Sequence, residues 1–138
     1  MFHSVELRAY CHATEEEDRV ARALQTLSPD APKVERTEGH HGNPILLMEC
    51  RIADRDGIAN FWGRIKEAGV LPQVLEGLQD RIDGDAVLHL RIDKQRAFAG
   101  AIELARHDDV ISVRAKVAAH PANRATALRS AREYLQRV

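Results

Sequence analysis

Adjacent histidines, His40 and His41, sit in the segment Gly39-His40-His41-Gly42-Asn43-Pro44. Imidazoles ligate metals and carry protons near neutral pH. Neighbours in sequence seldom bring both rings to one ion, and no HExxH or CxxC spacing accompanies them. A metal-dependent hydrolase is therefore kept only as a third reading, and no metal or other cofactor is expected. The glycines and Asn43 permit close backbone approach and positive φ, so backbone N–H groups beside the imidazoles suit a phosphate. The GxxxxGK[ST] phosphate loop is absent. Asp93-Lys94-Gln95-Arg96 forms a second cluster. Lys94 and Arg96 have the chemistry to hold a phosphate and Gln95 to read a base edge. The plainer reading of the same four residues is a helix start capped by Asp93. Cys11-His12 places a thiol beside a base, but alternation sends Cys11 inward and His12 outward, which argues against a catalytic pair.

The elements that must carry these residues follow from periodicity. Val5, Leu7, Ala9 and Cys11 alternate with Glu6, Arg8, Tyr10 and His12, which predicts a half-buried strand over 3–12. Strands are likewise expected at 45–53, 86–93 and 109–118, with a polar edge strand at 33–38. Thr14 and Glu17 have capping-box spacing before a helical stripe of Val20, Ala23, Leu24 and Leu27. Asp54 or Asp56 caps a helix running to about Ala68, with Ile58, Phe61, Trp62 and Ile65 inward and Gly69 at its end. A shorter helix is expected from Val70 to Leu78, and Asp83-Gly84-Asp85 forms a turn. Residues 94–104 are ambiguous, since Gly100 weakens a helix there. Pro121 is expected to open the last helix. The order predicts a single α+β domain over 1–138, a mostly antiparallel sheet with helices packed on one face.

Composition agrees with that architecture. Of 138 residues, 44% are apolar and 30% charged, an ordinary globular balance rather than a disordered one. The net charge of −1 gives no whole-chain signal for nucleic acid, so any basic surface must come from segregation. Two cysteines inside strand-like runs fit buried thiols in a reducing cytoplasm better than a disulfide. No run approaches the length of a membrane helix.

Segregation is what the alternation predicts. The face away from the helices offers Arg8, Tyr10 and His12, then Glu49 and Arg51, His89 and Arg91, and Ser112, Arg114 and Lys116. Five fixed positive charges stand there against Glu6 and Glu49, while Glu15, Glu16, Glu17 and Asp18 gather on the first helix. A basic face carrying a tyrosine suits RNA, with arginines on phosphates and a base stacked on Tyr10. Alternating charge is also what any solvated strand shows. Ile45 and Leu47 on that face suit docking of another protein or a second copy.

The sequence resembles a known family at particular motifs. His12-Ala13-Thr14-Glu15 after the first strand, Gly39-His40-His41-Gly42-Asn43-Pro44-Ile45 before the 45–53 strand, and Arg91-Ile92-Asp93-Lys94-Gln95 look like the archaeal RNA-binding family formerly described as predicted exosome subunits. Asp109-Val110-Ile111-Ser112-Val113-Arg114 and His120-Pro121 extend the likeness over nearly the whole chain. The resemblance implies a fold like the ribosomal protein of the L-five type and an RNA-associated role without catalysis. Exosome or ribosomal components are the partners it implies. It makes His40, His41, Asn43, Asp93, Lys94 and Gln95 candidates for phosphate or base contact.

Overall fold

The computed structural model describes residues 1–38, 42 and 44–138. Five strands lie in one sheet: β1 (Phe2–Cys11), β2 (Lys33–Glu38), β3 (Pro44–Ile52), β4 (Val87–Asp93) and β5 (Val110–Val117), in the order β2-β3-β1-β5-β4. Six helices accompany them: α1 (Glu17–Gln25), α2 (Arg55–Glu67), α3 (Leu71–Glu76), α4 (Leu78–Arg81), α5 (Lys94–Phe98) and α6 (Arg124–Gln136). The α+β class with an antiparallel sheet is as the periodicity predicts. Lys33 stands opposite Glu49 and Glu38 opposite Pro44, so β2 runs antiparallel to β3. Arg8 reaches Glu49 and Arg51 reaches Glu6, which sets β1 antiparallel to β3. Ala118 N–H donates to the Met1 carbonyl, and Val117 N–H to the Ala86 carbonyl, giving the same sense to β5 with β1 and with β4.

The chain divides into two compact units, and β1, β3, β4 and β5 each contribute residues to both. Unit one holds Met1–Glu6, Arg51–Leu90 and Val113–Val138. Its core is Phe61, Trp62, Ile65, Val74, Leu78, Leu88, Leu90, Val113 and Leu135. The expected strand alternation breaks in this unit at Ser4 and Val5, which are both buried. Asp54 caps α2, its carboxylate accepting from the Gly57 N–H at 2.8 Å. A Cβ on Gly57 would lie 2.6 Å from Asp54 Oδ1 and 2.8 Å from Ile52 Cγ2, so the tight cap demands glycine. Gly69, at φ 77°, turns the chain out of that helix as expected.

Two sequence expectations shift in detail. The 70–78 helix is broken at Gly77 into α3 and α4. Pro121 does not open the last helix: it follows a cis bond from His120, and α6 begins at Arg124. Asn123 is the cap, its side-chain Oδ1 accepting from the Thr126 N–H at 2.9 Å, a role a proline side chain lacks. The inward face of α6 is Ala127, Ala131 and Leu135, with Leu128 half-buried. Asp54→Ala and Asn123→Ala are each expected to cost about 1 kcal/mol, read as a lowered urea midpoint with unchanged slope.

Unit two holds Leu7–Cys50 and Arg91–Ser112. Leu7, Ala9, Leu24, Leu27, Met48, Ile92 and Ile111 form its core. Cys11 and Cys50 are buried free thiols, and burial pushes both thiols up, against a nucleophilic role. Every residue of β2 is exposed. Lys33, Glu35, Arg36 and Glu38 put charge along this sheet edge, which discourages pairing with other chains. The Thr14–Glu17 capping box does not form. Glu16 occupies the N-cap position without a side-chain bond, and the neighbouring Glu15 carboxylate accepts from the His12 N–H and from Lys94.

Candidate nucleic-acid interface

In unit two the Asp-Lys-Gln triplet marks the passage from β4 into α5. Asp93 caps α5 as the sequence suggests, accepting from the Arg96 N–H at 3.0 Å. The alternation Leu88, Leu90, Ile92 carries on to Lys94 and turns its side chain inward, where it is 3% exposed. The ammonium donates to the Tyr10 carbonyl at 2.9 Å, to Glu15 Oε1 at 2.9 Å and to Asp109 Oδ1 at 2.8 Å. An ammonium has three N–H bonds, so none is left for a phosphate. The sequence expectation that Lys94 holds RNA at the rim is therefore corrected: this lysine joins β1, the segment before α1, and the start of β5.

The rest of the triplet belongs to the same network. Gln95 Nε2 donates to Asp109 Oδ2 at 3.0 Å, committing one amide hydrogen that a base edge would otherwise use. His107 Nε2 meets Asp93 Oδ2 at 3.0 Å, and its Nδ1 accepts from the Asp109 N–H. Burial pushes the Asp109 carboxyl up, but hydrogen bonds from Lys94 and Gln95 and the Lys94 charge carry it below the usual range. For Lys94, burial lowers the pKa, and the bonds and charges of Asp109 and Glu15 more than offset this, leaving it raised. Glu15 and Asp109 escaped the sequence reading as partners of this lysine, and His107 as a partner of Asp93.

These shifts set a pH window. Asp109, lowered on folding, contributes stability above the unfolded carboxylate value of about 3.9 and loses it as pH falls through the folded value. Lys94, raised on folding, contributes fully below the unfolded value of about 10.4 and loses it as pH rises through the folded value. The stability difference between wild type and Lys94→Met is expected to be flat from about pH 5 to 9 and to shrink on both sides of that range. Urea unfolding of both proteins across pH measures it.

The exposed strand positions are placed as the alternation predicts. In unit two Arg8, Tyr10 and Arg91 are exposed, with Tyr10 at 46%. Arg8 is bound to Glu49 at 3.1 Å. Arg91 donates to Asp108 at 2.6 Å and to the His107 carbonyl at 3.0 Å. His12 lies just beyond β1 and is exposed. In unit one Arg51 pairs with Glu6 at 3.0 Å, and His89 with Asp83 at 2.7 Å. The His89 hydrogen bond, against some burial, holds the Asp83 carboxyl low, helped by the Val87 and Asp85 N–H groups. Arg114 is exposed and has no carboxylate partner among the described residues. Lys116 gives one N–H to the Asp85 carbonyl and keeps the others. Two of the five cations counted in the sequence, Arg8 and Arg51, are thus matched by Glu49 and Glu6 on adjoining strands. Arg91 is matched by Asp108, so Arg114 and Lys116 carry the surplus.

His40, His41 and Asn43, with Gly39, lie outside the described residues. Gly42 is exposed at φ 73°. Ile45 and Leu47 are half-buried. Among the described residues no His, Cys, Asp and Glu group has the arrangement of a metal site.

Comparison with known proteins places this geometry. A family model described as "RNA binding" matches residues 4–117. A protein of Pyrococcus abyssi named as an RNA-binding protein is 33% identical, over 97% of this chain and 94% of its own length. The solved structure of a DUF54 protein from Methanothermobacter thermautotrophicus is 36% identical, with a TM-score of 0.85 over 98% of both chains. A DUF54 structure from Archaeoglobus fulgidus is 34% identical, with a TM-score of 0.84 over 96% of this chain and 99% of that one. With the match running through all five strands and α1 to α5, the chain belongs to this RNA-binding family, whose relatives here are archaeal.

Proposed function

We propose that this protein binds RNA and performs no reaction on it. The observation that carries the reading is the set of exposed arginines, with the half-buried Lys116, at alternating strand positions in a chain whose relative is named for RNA binding. Arg114 and Lys116 supply phosphate contacts, and Arg8, Arg51 and Arg91 join them when their surface ion pairs open. Such pairs are worth only about 0–1 kcal/mol, so a phosphate competes with Glu49 or Glu6 at little cost. Tyr10 supplies a ring on which an unpaired base stacks, with His12 and His89 beside the cations. His40, His41 and Asn43 stay in the proposal as loop contacts, and Gln95 as a polar neighbour with one amide hydrogen uncommitted. The fitting setting is an RNA-processing or ribosomal assembly of the cytoplasm, of exosome type or built on ribosomal RNA. The half-buried state of Ile45 and Leu47 leaves less apolar surface for self-association than the sequence suggests.

Binding of labelled single- and double-stranded RNA across a salt series tests this. Three to five phosphate contacts predict that log Kobs falls with log salt at a slope of roughly −2 to −4. Binding that ignores salt, or no binding at low salt, contradicts it.

A further inference from the structure

Unit one contains a cleft of about 790 Å³ that the strand-face cations do not line. That volume lies within the usual range for small-ligand sites. Phe2, His3, Arg55, Glu133, Tyr134 and Arg137 form the chemically distinctive part of its wall. The β1 start, the first turn of α2 and the end of α6 bring them together. Phe2 and Tyr134 pack edge-on, with ring centroids 5.2 Å apart at 83°. Behind Phe2, Trp62 lies 5.0 Å away, fully buried. Arg55 and Arg137 are exposed and have no carboxylate partner among the described residues, in a chain that pairs Arg8, Arg19, Arg51, Arg91 and Arg96. The Asp54 carboxylate at the same helix start is committed to the Gly57 N–H. Among the described residues Glu133 is the one acidic side chain in the wall.

We propose that this cleft takes a single unstacked nucleotide, its base against Tyr134 and its phosphate between Arg55 and Arg137. An aromatic wall alone would suit any flat apolar ligand, and two guanidinium groups alone would suit any anion. Together they match a base joined to a phosphate. His3 adds a donor at the rim, and Glu133 favours a ligand that offers N–H or O–H groups as well as negative charge. The proposal rests on the RNA-binding reading and adds to it a preference for a strand with a free, unpaired nucleotide. A free nucleotide and one in a strand share this chemistry.

The test has two arms on the full chain. Trp62 is the only tryptophan and touches a ring of the cleft wall, so its fluorescence reports occupancy. Uridine 5′-monophosphate is titrated against wild type, and single-stranded oligouridine and blunt duplex RNA are then compared by anisotropy. The expected result is that Arg55→Glu/Arg137→Glu and Tyr134→Ala each weaken single-strand binding at least tenfold and change duplex binding less than twofold. Tyr134→Phe, which keeps the ring, should bind like wild type and controls for loss of fold. A saturable Trp62 response to the mononucleotide shows that a free nucleotide suffices, and a response to the oligonucleotide alone shows that the strand is required. Unchanged single-strand affinity in Arg55→Glu/Arg137→Glu overturns the cleft while leaving RNA binding intact. No binding of wild type to any RNA overturns the RNA reading itself, and with it a strand-bound nucleotide in the cleft.

Discussion

Lys94→Met is expected to destabilise the protein by about 3 kcal/mol and to leave its RNA affinity within twofold of wild type. Methionine retains most of the stem and deletes the charge. Glu15 and Asp109 then lose the cation between them, and the Tyr10 carbonyl loses its donor. Breaking a buried pair by removing one partner typically costs 3–5 kcal/mol, because the remaining charge is stranded. The lower end applies here, since the Asp109 side chain is 40% exposed and water relieves part of the penalty. Adding Glu15→Gln to Lys94→Met should recover part of the loss, and the double-mutant cycle measures the coupling. Urea unfolding supplies the stability and anisotropy the affinity. An RNA affinity that collapses in a folded Lys94→Met protein would return this lysine to the RNA surface and contradict the placement of its three N–H bonds.

Charge reversal of Arg91 and Arg114 is expected to act in the opposite way, on affinity and not on fold. Both side chains are exposed, and among the described residues the only ion pair at risk is Arg91 with Asp108, whose side chain is fully exposed. Such a pair contributes about 0–1 kcal/mol, so stability should hardly move. On the proposed RNA surface each substitution removes a phosphate contact and places a like charge near the backbone. Arg91→Glu and Arg114→Glu singly are expected to weaken binding by about tenfold each, roughly 1.4 kcal/mol. Arg91 belongs to unit two and Arg114 to unit one, so the two single variants report on each unit separately.

The strands were legible because a half-covered sheet writes its burial into a period of two. Leu88, Leu90 and Ile92 are inward and His89 and Arg91 outward, as the alternation requires. The same alternation held the clue to Lys94: it stands two residues after Ile92, on the inward phase. The polar type of the residue outweighed its position in the sequence reading. Its partners lie 84 and 79 residues back and 15 ahead, at separations that no local pattern encodes. Helix starts were less legible than strands because several residues can cap. Asp54 and Asp93 cap as expected, whereas Thr14 yields to Glu16 and Pro121 to Asn123. The count of five basic positions against two acidic ones was correct as a list. It did not reveal that Glu6 and Glu49 would each bind an arginine across the β1–β3 pair. The cleft at Tyr134 was not legible, since its walls come from the two ends of the chain and the start of α2.

In the proposed function exposed strand arginines hold RNA electrostatically, while the Asp-Lys-Gln triplet ties unit two together. The slope of log Kobs against log salt for wild type and for Arg91→Glu/Arg114→Glu tests it most directly. Loss of two phosphate contacts predicts a slope shallower by about 1.4 to 1.8, together with weaker binding at every salt concentration. Equal slopes and equal affinities in the two proteins would contradict the claim.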